Sequence, residues 1–240
     1  MNRHRGLVCA MIALFGQALA STLPLFFAGW VECHDALRYL ALHDQFRECV
    51  AHGIAYPRWL PYLYGGYGYP TFVFYQPGYF FLTLALNAIV PDALTATQLA
   101  VLVMFIAGGI GMLLLVREFC DTFSSWAAAA WFLLTPYLFV NLHVRGDLSE
   151  LLSIVLTPWP LLFLSRLYRA VRQDAATWPW LGLTALALAG IVLAHPFTAL
   201  FYYPTFCVIA LAWTWGEHGR AQPIRGAQQH RQANGGGGKQ

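Results

Sequence analysis

Seven apolar runs, near residues 7–30, 78–90, 94–116, 126–142, 150–165, 178–194 and 197–215, carry almost no charge and leave the chain little choice but a membrane fold. About 20 consecutive apolar residues let an α-helix cross a hydrocarbon core roughly 30 Å thick, because a helix satisfies its backbone polar groups internally. Charged residues make up 10% of the chain and hydrophobic residues 58%, whereas soluble domains carry about 25% charged residues. The chain is therefore predicted to be an all-α integral membrane protein. Its formal net charge of +3 singles out no nucleic-acid partner, and none is expected.

The run 78–90 is short. Its roughly 13 residues rise about 20 Å, so it is expected to lie in the interface or to re-enter rather than to cross. The positive-inside rule agrees: with the N-terminus cytoplasmic and 78–90 not crossing, Arg117, the group Arg166/Arg169/Arg172 and the basic tail all fall inside. This gives about six spans, near 7–30, 94–116, 126–142, 150–165, 178–194 and 197–215, with the loop 31–93, the segment 143–149 and the His195-Pro196 turn on the exterior face. The N-terminal segment also imitates a signal peptide with an Ala-Leu-Ala site before Ser21, but its apolar run continues to Trp30 and reaches bilayer length. Residues 216–240, polar and ending in a glycine run, are expected to form a disordered cytoplasmic tail after a transmembrane module over 1–215.

Within the loop, Asp35 to His52 suits a short helix with Tyr39, Leu42, Phe46, Cys49 and Val50 on one side and Asp44, Gln45, Glu48 and His52 on the other. Such a helix is expected to lie flat on the membrane, with His43 and Arg47 flanking the stripe where an anionic head group is met, or to be a solvated connector. Asp35 follows the first span directly. A carboxylate there is either a general base or acceptor-orienting group, or simply a helix N-cap. Farther on, Tyr56-Pro57-Arg58-Trp59 and Gly65-Gly66-Tyr67-Gly68-Tyr69-Pro70 are rich in turn residues and aromatics. Trp59, Tyr67, Tyr69 and Tyr75 read either as interfacial anchors or as a platform for sugar rings or polyprenyl chains, with Arg58 pairing a phosphate.

His143-Val-Arg145-Gly-Asp147-Leu-Ser-Glu150 crowds both charge signs at the mouth of a span. Glu150, just inside, is expected to face a protein cavity and pair Arg145, as a structural ion pair or as part of a site. His195 ends one helix at the same face, in a capping or a site role. Cys33, His34, His43, Cys49 and His52 suggest zinc but match no compact ligand spacing, and five scattered cysteines are no disulfide framework. No Walker loop, dinucleotide fingerprint or nucleophile elbow is present. No cofactor is assigned, and a divalent metal is left open.

Asp35, His43-x-x-x-Arg47, Tyr56-Pro57-Arg58-Trp59, Gly66-Tyr67-Gly68-Tyr69-Pro70, Phe74-Tyr75-x-Pro77, Arg145-Gly146 with Glu150, and His195-Pro196 together resemble the bacterial membrane proteins called 6-pyruvoyl-tetrahydropterin synthase-related. Nothing in the sequence suggests pterin chemistry. That family resembles a branch of the multispanning GT-C glycosyltransferases, so the resemblance implies a GT-C-like bundle in the bacterial inner (plasma) membrane, with interfacial helices in the first exterior loop. It implies a polyprenyl-phosphate-linked sugar donor used at the exterior face in cell-envelope glycan or glycolipid modification. Asp35 would be the catalytic group, and His43, Arg47, Arg58, Trp59, Tyr67, Tyr69, Tyr75, Arg145, Glu150 and His195 would contact substrate or membrane lipid. Two positions depart from the pattern: Gly78, where a bulkier apolar residue is usual, and Asp147, where a small one is.

The resemblance covers roughly residues 5 to 215 of proteins that are usually longer. The chain is accordingly expected to be an N-terminal part, inactive alone. A non-catalytic protein that binds lipid-linked glycans or assists their assembly is the second reading, and a transporter the third.

Overall fold

The computed structural model describes residues 3–29 and 33–235, with side chains over 4–27, 29 and 33–215. In order these form α1 (Arg3–Ala28), α2 (Ala36–Ala51), a 3-10 turn (Tyr64–Gly66), α3 (Thr71–Phe74), α4 (Gly78–Asn87), α5 (Ala93–Val116), α6 (Thr122–Leu133), α7 (Pro136–Val140), a π-helical turn (Asn141–Arg145), α8 (Leu148–Leu156), α9 (Pro158–Arg172), α10 (Trp178–Ala194) and α11 (Pro196–Gly235). Two compact units divide between Ala199 and Leu200. Residue Trp30, the side chains beyond 215 and residues 236–240, where the tail was expected, lie outside the described residues.

Helix starts follow the side chains that can satisfy free N–H groups. Asp92 accepts from Thr95 N at 2.7 Å, and Asp121 accepts from Phe123 N at 2.8 Å and Ser124 N at 3.1 Å. Pro136 and Pro158 break long apolar segments into α6–α7 and α8–α9 without ending them, since proline is tolerated in a first turn. Among the described residues, five helices are long and apolar enough to cross a membrane: His4–Phe27, Ala93–Val116, Thr122–Arg145, Leu148–Arg172 and Pro196–Trp215. These are the first, second, third, fourth and sixth of the expected spans. The expected span 178–194 is α10, only 17 residues long. The helix α4 at Gly78–Asn87 is likewise among the shorter apolar helices, as the length of 78–90 implied.

Although short, α10 runs the length of its neighbours. Trp180 near its start lies 5.2 Å from the Arg166 guanidinium of α9, and His195 just past its end approaches Asp147 and Glu150 at the start of α8, all three within 4.8 Å of one another. It is therefore antiparallel to the α8–α9 rod from one end of the bundle to the other.

At the centre sits α5, packed on α1, α4, α6, α8 and α9. Small residues bring the helices close: a Cβ on Gly108 would meet Val155 at 2.9 Å, and one on Gly111 would meet Trp159 Nε1 at 2.8 Å. Amides tie the apolar helices across the bundle, Gln98 Nε2 donating to Leu25 O at 2.6 Å and Gln17 Nε2 to Ala130 O at 2.8 Å. The departure at Gly78 has a packing reason. Any side chain there would meet the backbone oxygen of Leu193 at 2.6 Å, so glycine lets α4 seat against the end of α10.

Candidate functional site

The expected stripe of α2 is buried: Tyr39, Leu42, Phe46 and Cys49 pack into the core beside Phe72 and Phe80. Tyr39 stacks on Phe80 with ring centroids 5.6 Å apart and meets Tyr79 edge-on at 5.2 Å. A tyrosine buried this deeply needs a partner for its hydroxyl, and the partners come from the far side of the sequence. Tyr39 O–H donates to Asp147 Oδ1 at 2.8 Å and accepts from Ser149 N at 3.1 Å. Its proton being committed, the 2.7 Å bond with Tyr75 is donated by Tyr75. Burial pushes the Tyr75 phenol up to about 12 and that of Tyr39 well above the ordinary tyrosine value, so both stay protonated at neutral pH.

Asp147 starts α8 as its N-cap, accepting from Glu150 N at 3.0 Å, and Arg145 Nη2 reaches its other oxygen at 3.4 Å. The π-helical turn places Asn141 and Arg145 together, Arg145 Nη1 donating to Asn141 Oδ1 at 2.8 Å. Arg145 also pairs with Glu150, whose carboxylate accepts from Tyr137 O–H at 2.7 Å. The expected Arg145–Glu150 pair is thus present, inside a wider network with Asp147, Tyr137 and Asn141. Asn141 Nδ2 and Ser149 Oγ are buried beside it without a protein partner among the described residues. His195 Nδ1 takes the Thr198 N–H at 3.3 Å and lies 2.6 Å from its hydroxyl, which leaves the proton of the neutral ring on Nε2.

Asp35 joins this group through its backbone: its N–H donates to Arg145 O at 2.9 Å, and His34 N donates to Val144 O at 3.2 Å. Gly146 permits the approach, with φ +69 and with any Cβ meeting Cys33 Sγ at 2.6 Å and Ala36 N at 2.9 Å. The Asp35 side chain makes no capping hydrogen bond. It lies 40% exposed, 3.9 Å from the more exposed Arg38, whose guanidinium sits 5.4 Å from the Tyr75 ring centroid.

Other expected site residues lie elsewhere. His43 is fully buried, its ring bonded to Thr83 Oγ1 at 2.8 Å and to Asn87, which corrects its expected place at an interfacial head group. It pins α2 to α4 from inside the stripe it was expected to flank. Arg47 donates to Pro91 O at 3.1 Å and pairs with Asp44 at 3.5 Å. Arg58 lies over Tyr56, and Trp59, Tyr67 and Tyr69 are exposed on a loop closed by the Leu60–Tyr69 bridge, with Trp59 over Gly68. Cys33 and Cys49 are free thiols, and the cysteine–histidine zinc set does not assemble among the described residues.

By spacing, Asp147, Glu150 and His195 have the donors for a divalent cation. The donor set does not suit one well, because Arg145 is already paired with both carboxylates and a second cation would meet its charge. Asp147 and Tyr39 were the residues sequence reasoning missed. The Asp-x-x-Glu spacing of a capping box was a signal for the first, and a tyrosine on an otherwise apolar stripe for the second.

Residues 72–221 match the family described as 6-pyruvoyl-tetrahydropterin synthase related domain, a membrane protein. The chain belongs to that family. The family match takes in Tyr75, Arg145, Asp147, Glu150 and His195, and it begins after Asp35 and Tyr39. No curated protein and no solved structure matches the chain.

Proposed function

We propose that the chain is the N-terminal part of a GT-C-like membrane glycosyltransferase that takes sugar from a polyprenyl-phosphate carrier at the exterior face, in cell-envelope glycan or glycolipid modification. The observation that carries this reading is Asp35: a half-exposed carboxylate that caps no helix, held by its backbone to the Arg145 turn. In the reaction, an acceptor hydroxyl gives its proton to Asp35 while its oxygen bonds the sugar's anomeric carbon. The bond from that carbon to the carrier phosphate breaks, and the phosphate leaves with the electron pair.

Arg38, exposed beside Asp35, is the cation better placed for that phosphate. Arg145 is already neutralised by Glu150 and Asp147, so its role is to position the turn that holds Asp35. Tyr75 and Tyr39 link this edge to Asp147. Trp59, Tyr67, Tyr69 and Arg58 offer exposed aromatic and cationic surface to the carrier or to membrane lipid.

Arg145, already paired with Glu150 and Asp147, also favours a second reading, a protein that binds lipid-linked glycans without turning them over. Membranes carrying the protein in its full-length context, given labelled polyprenyl-phosphate sugars, separate the two. Transfer of label that depends on Asp35 supports the enzyme. Saturable binding of the donor without transfer supports the binder.

A further inference from the structure

At the end of the bundle opposite Asp35 lies a cavity of ≈ 310 Å³, lined by Glu118, Arg166, Arg169, Gln173 and Trp180 among others. Three helix ends converge there: the end of α5 just before Glu118, the last turns of α9, and the first turn of α10. Glu150 and Arg166, on the α8–α9 rod, are about 24 Å apart at helical rise, so this cavity is separate from the Asp35 region.

Its charges do not balance. Glu118 is largely buried, at 12% exposure, and receives Arg166 Nε at 3.0 Å on one oxygen and Arg169 Nη1 on the other. One carboxylate thus faces two guanidinium groups. Arg169 is accounted for structurally, since it also donates to the Glu118 carbonyl and neutralises the C-terminal end of α5. Arg166 is not. It meets Glu118 through Nε alone, and its two Nη groups have no protein partner among the described residues. Trp180 lies against the guanidinium at 5.2 Å and fixes its plane.

Arg117 adds positive charge at the same end. Among the described residues, the nearby acids are Asp121, engaged by the first turn of α6, and Asp174, in the exposed connection before α10. A planar fork with open donors, surplus positive charge and an adjoining amide match two oxygens of a phosphate group. Basic hollows between helix ends at a membrane face are where phosphate head groups are met.

We propose that this cavity binds a phosphate oxyanion through the Nη groups of Arg166, carried either by an anionic phospholipid head group or by free phosphate. The test uses the whole chain purified in a neutral detergent. Retention of dioleoyl-phosphatidylglycerol and dioleoyl-phosphatidylcholine is measured by native mass spectrometry, with and without inorganic phosphate as competitor. Phosphatidylglycerol is expected to bind roughly tenfold more tightly than phosphatidylcholine, whose choline cation meets the surplus charge, and Arg166→Gln is expected to remove the difference.

A thermal melt of Arg166→Gln checks its fold. Gln173→Glu, which adds a carboxylate at an exposed lining position, gives the same loss if Arg166→Gln unfolds. Phosphatidylglycerol binding that resists inorganic phosphate assigns the head group, and Arg166-dependent binding of inorganic phosphate without lipid preference assigns the free anion. Equal retention of both lipids with no phosphate binding, or binding indifferent to both substitutions, overturns the proposal.

Discussion

The backbone N–H of Asp35 donates to the carbonyl oxygen of Arg145 at 2.9 Å, joining the segment after the first candidate span to the end of the third. The contact depends on Gly146, because a Cβ there would lie 2.9 Å from the amide nitrogen of Ala36, an atom that cannot rotate away. Gly146→Ala is therefore expected to destabilise the chain by about 1–3 kcal/mol, through positive φ and the collision together. Unfolding in detergent measures it, and a wild-type midpoint would show that the clamp is dispensable.

Asp35→Asn keeps the shape of the side chain and removes its charge. If the proposed transfer reaction holds, the substitution in the full-length protein is expected to lower sugar transfer about 10²–10⁴-fold while leaving membrane insertion intact. Activity within a few-fold of wild type would remove Asp35 from the chemistry.

Tyr39→Phe preserves the stacking on Phe80 and deletes the hydroxyl shared by Asp147, Ser149 and Tyr75. The loss leaves buried groups unpaired and is expected to cost about 1–3 kcal/mol. The same tyrosines give an alkaline signature. Unfolded tyrosine ionises near its ordinary value of 10.0, whereas folded Tyr75 holds its proton to about 12 and burial also holds the Tyr39 phenol well above the ordinary value. Above pH about 10 the folded state therefore binds more protons than the unfolded one, and stability falls as pH rises. Tyr75→Phe should flatten part of that decline between about pH 10 and 12; an unchanged slope would contradict the burial of its phenol.

His43 gives the opposite signature. Burial lowers its proton affinity below the ordinary histidine value of 6.5, so below that pH the unfolded chain takes up a proton that the folded chain resists, and stability falls with acid. His43→Gln is expected to remove this acid slope and to cost about 1–3 kcal/mol at pH 7.5. If the substitution instead left stability and its pH dependence intact, the pinning of α2 to α4 through Thr83 and Asn87 would be refuted.

The Asp35 segment and the Arg166 group lie at opposite ends of the bundle, so a topology follows once one end is placed. Positive-inside bias predicts the arginine end on the cytoplasmic side. In a cysteine-free variant, an impermeant thiol reagent applied to intact cells should modify a cysteine placed at Gly65 and spare one placed at Asp174. Labelling at Asp174 alone would invert the orientation.

The sequence by itself determined which segments leave water. Runs such as 94–116 and 197–215 read directly as Ala93–Val116 and Pro196–Trp215, because transfer out of water depends on each residue's own chemistry and its immediate neighbours. It also marked Arg145 with Glu150, charges of opposite sign packed into one short stretch at a helix mouth. Only the tertiary structure decided what partners these groups take. Tyr39 meets Asp147 across 108 residues, and His43 meets Thr83 across 40, so neither bond leaves a local signal. The length of α10 understated its course as well, since its path from Trp180 to His195 is fixed by packing along α8–α9. A hydrogen bond or ion pair is satisfied by whatever the fold brings within reach, which is why tertiary structure turned His43 into a core pin and Arg145 into a neutralised support while leaving the Asp35 carboxylate uncommitted as a helix cap.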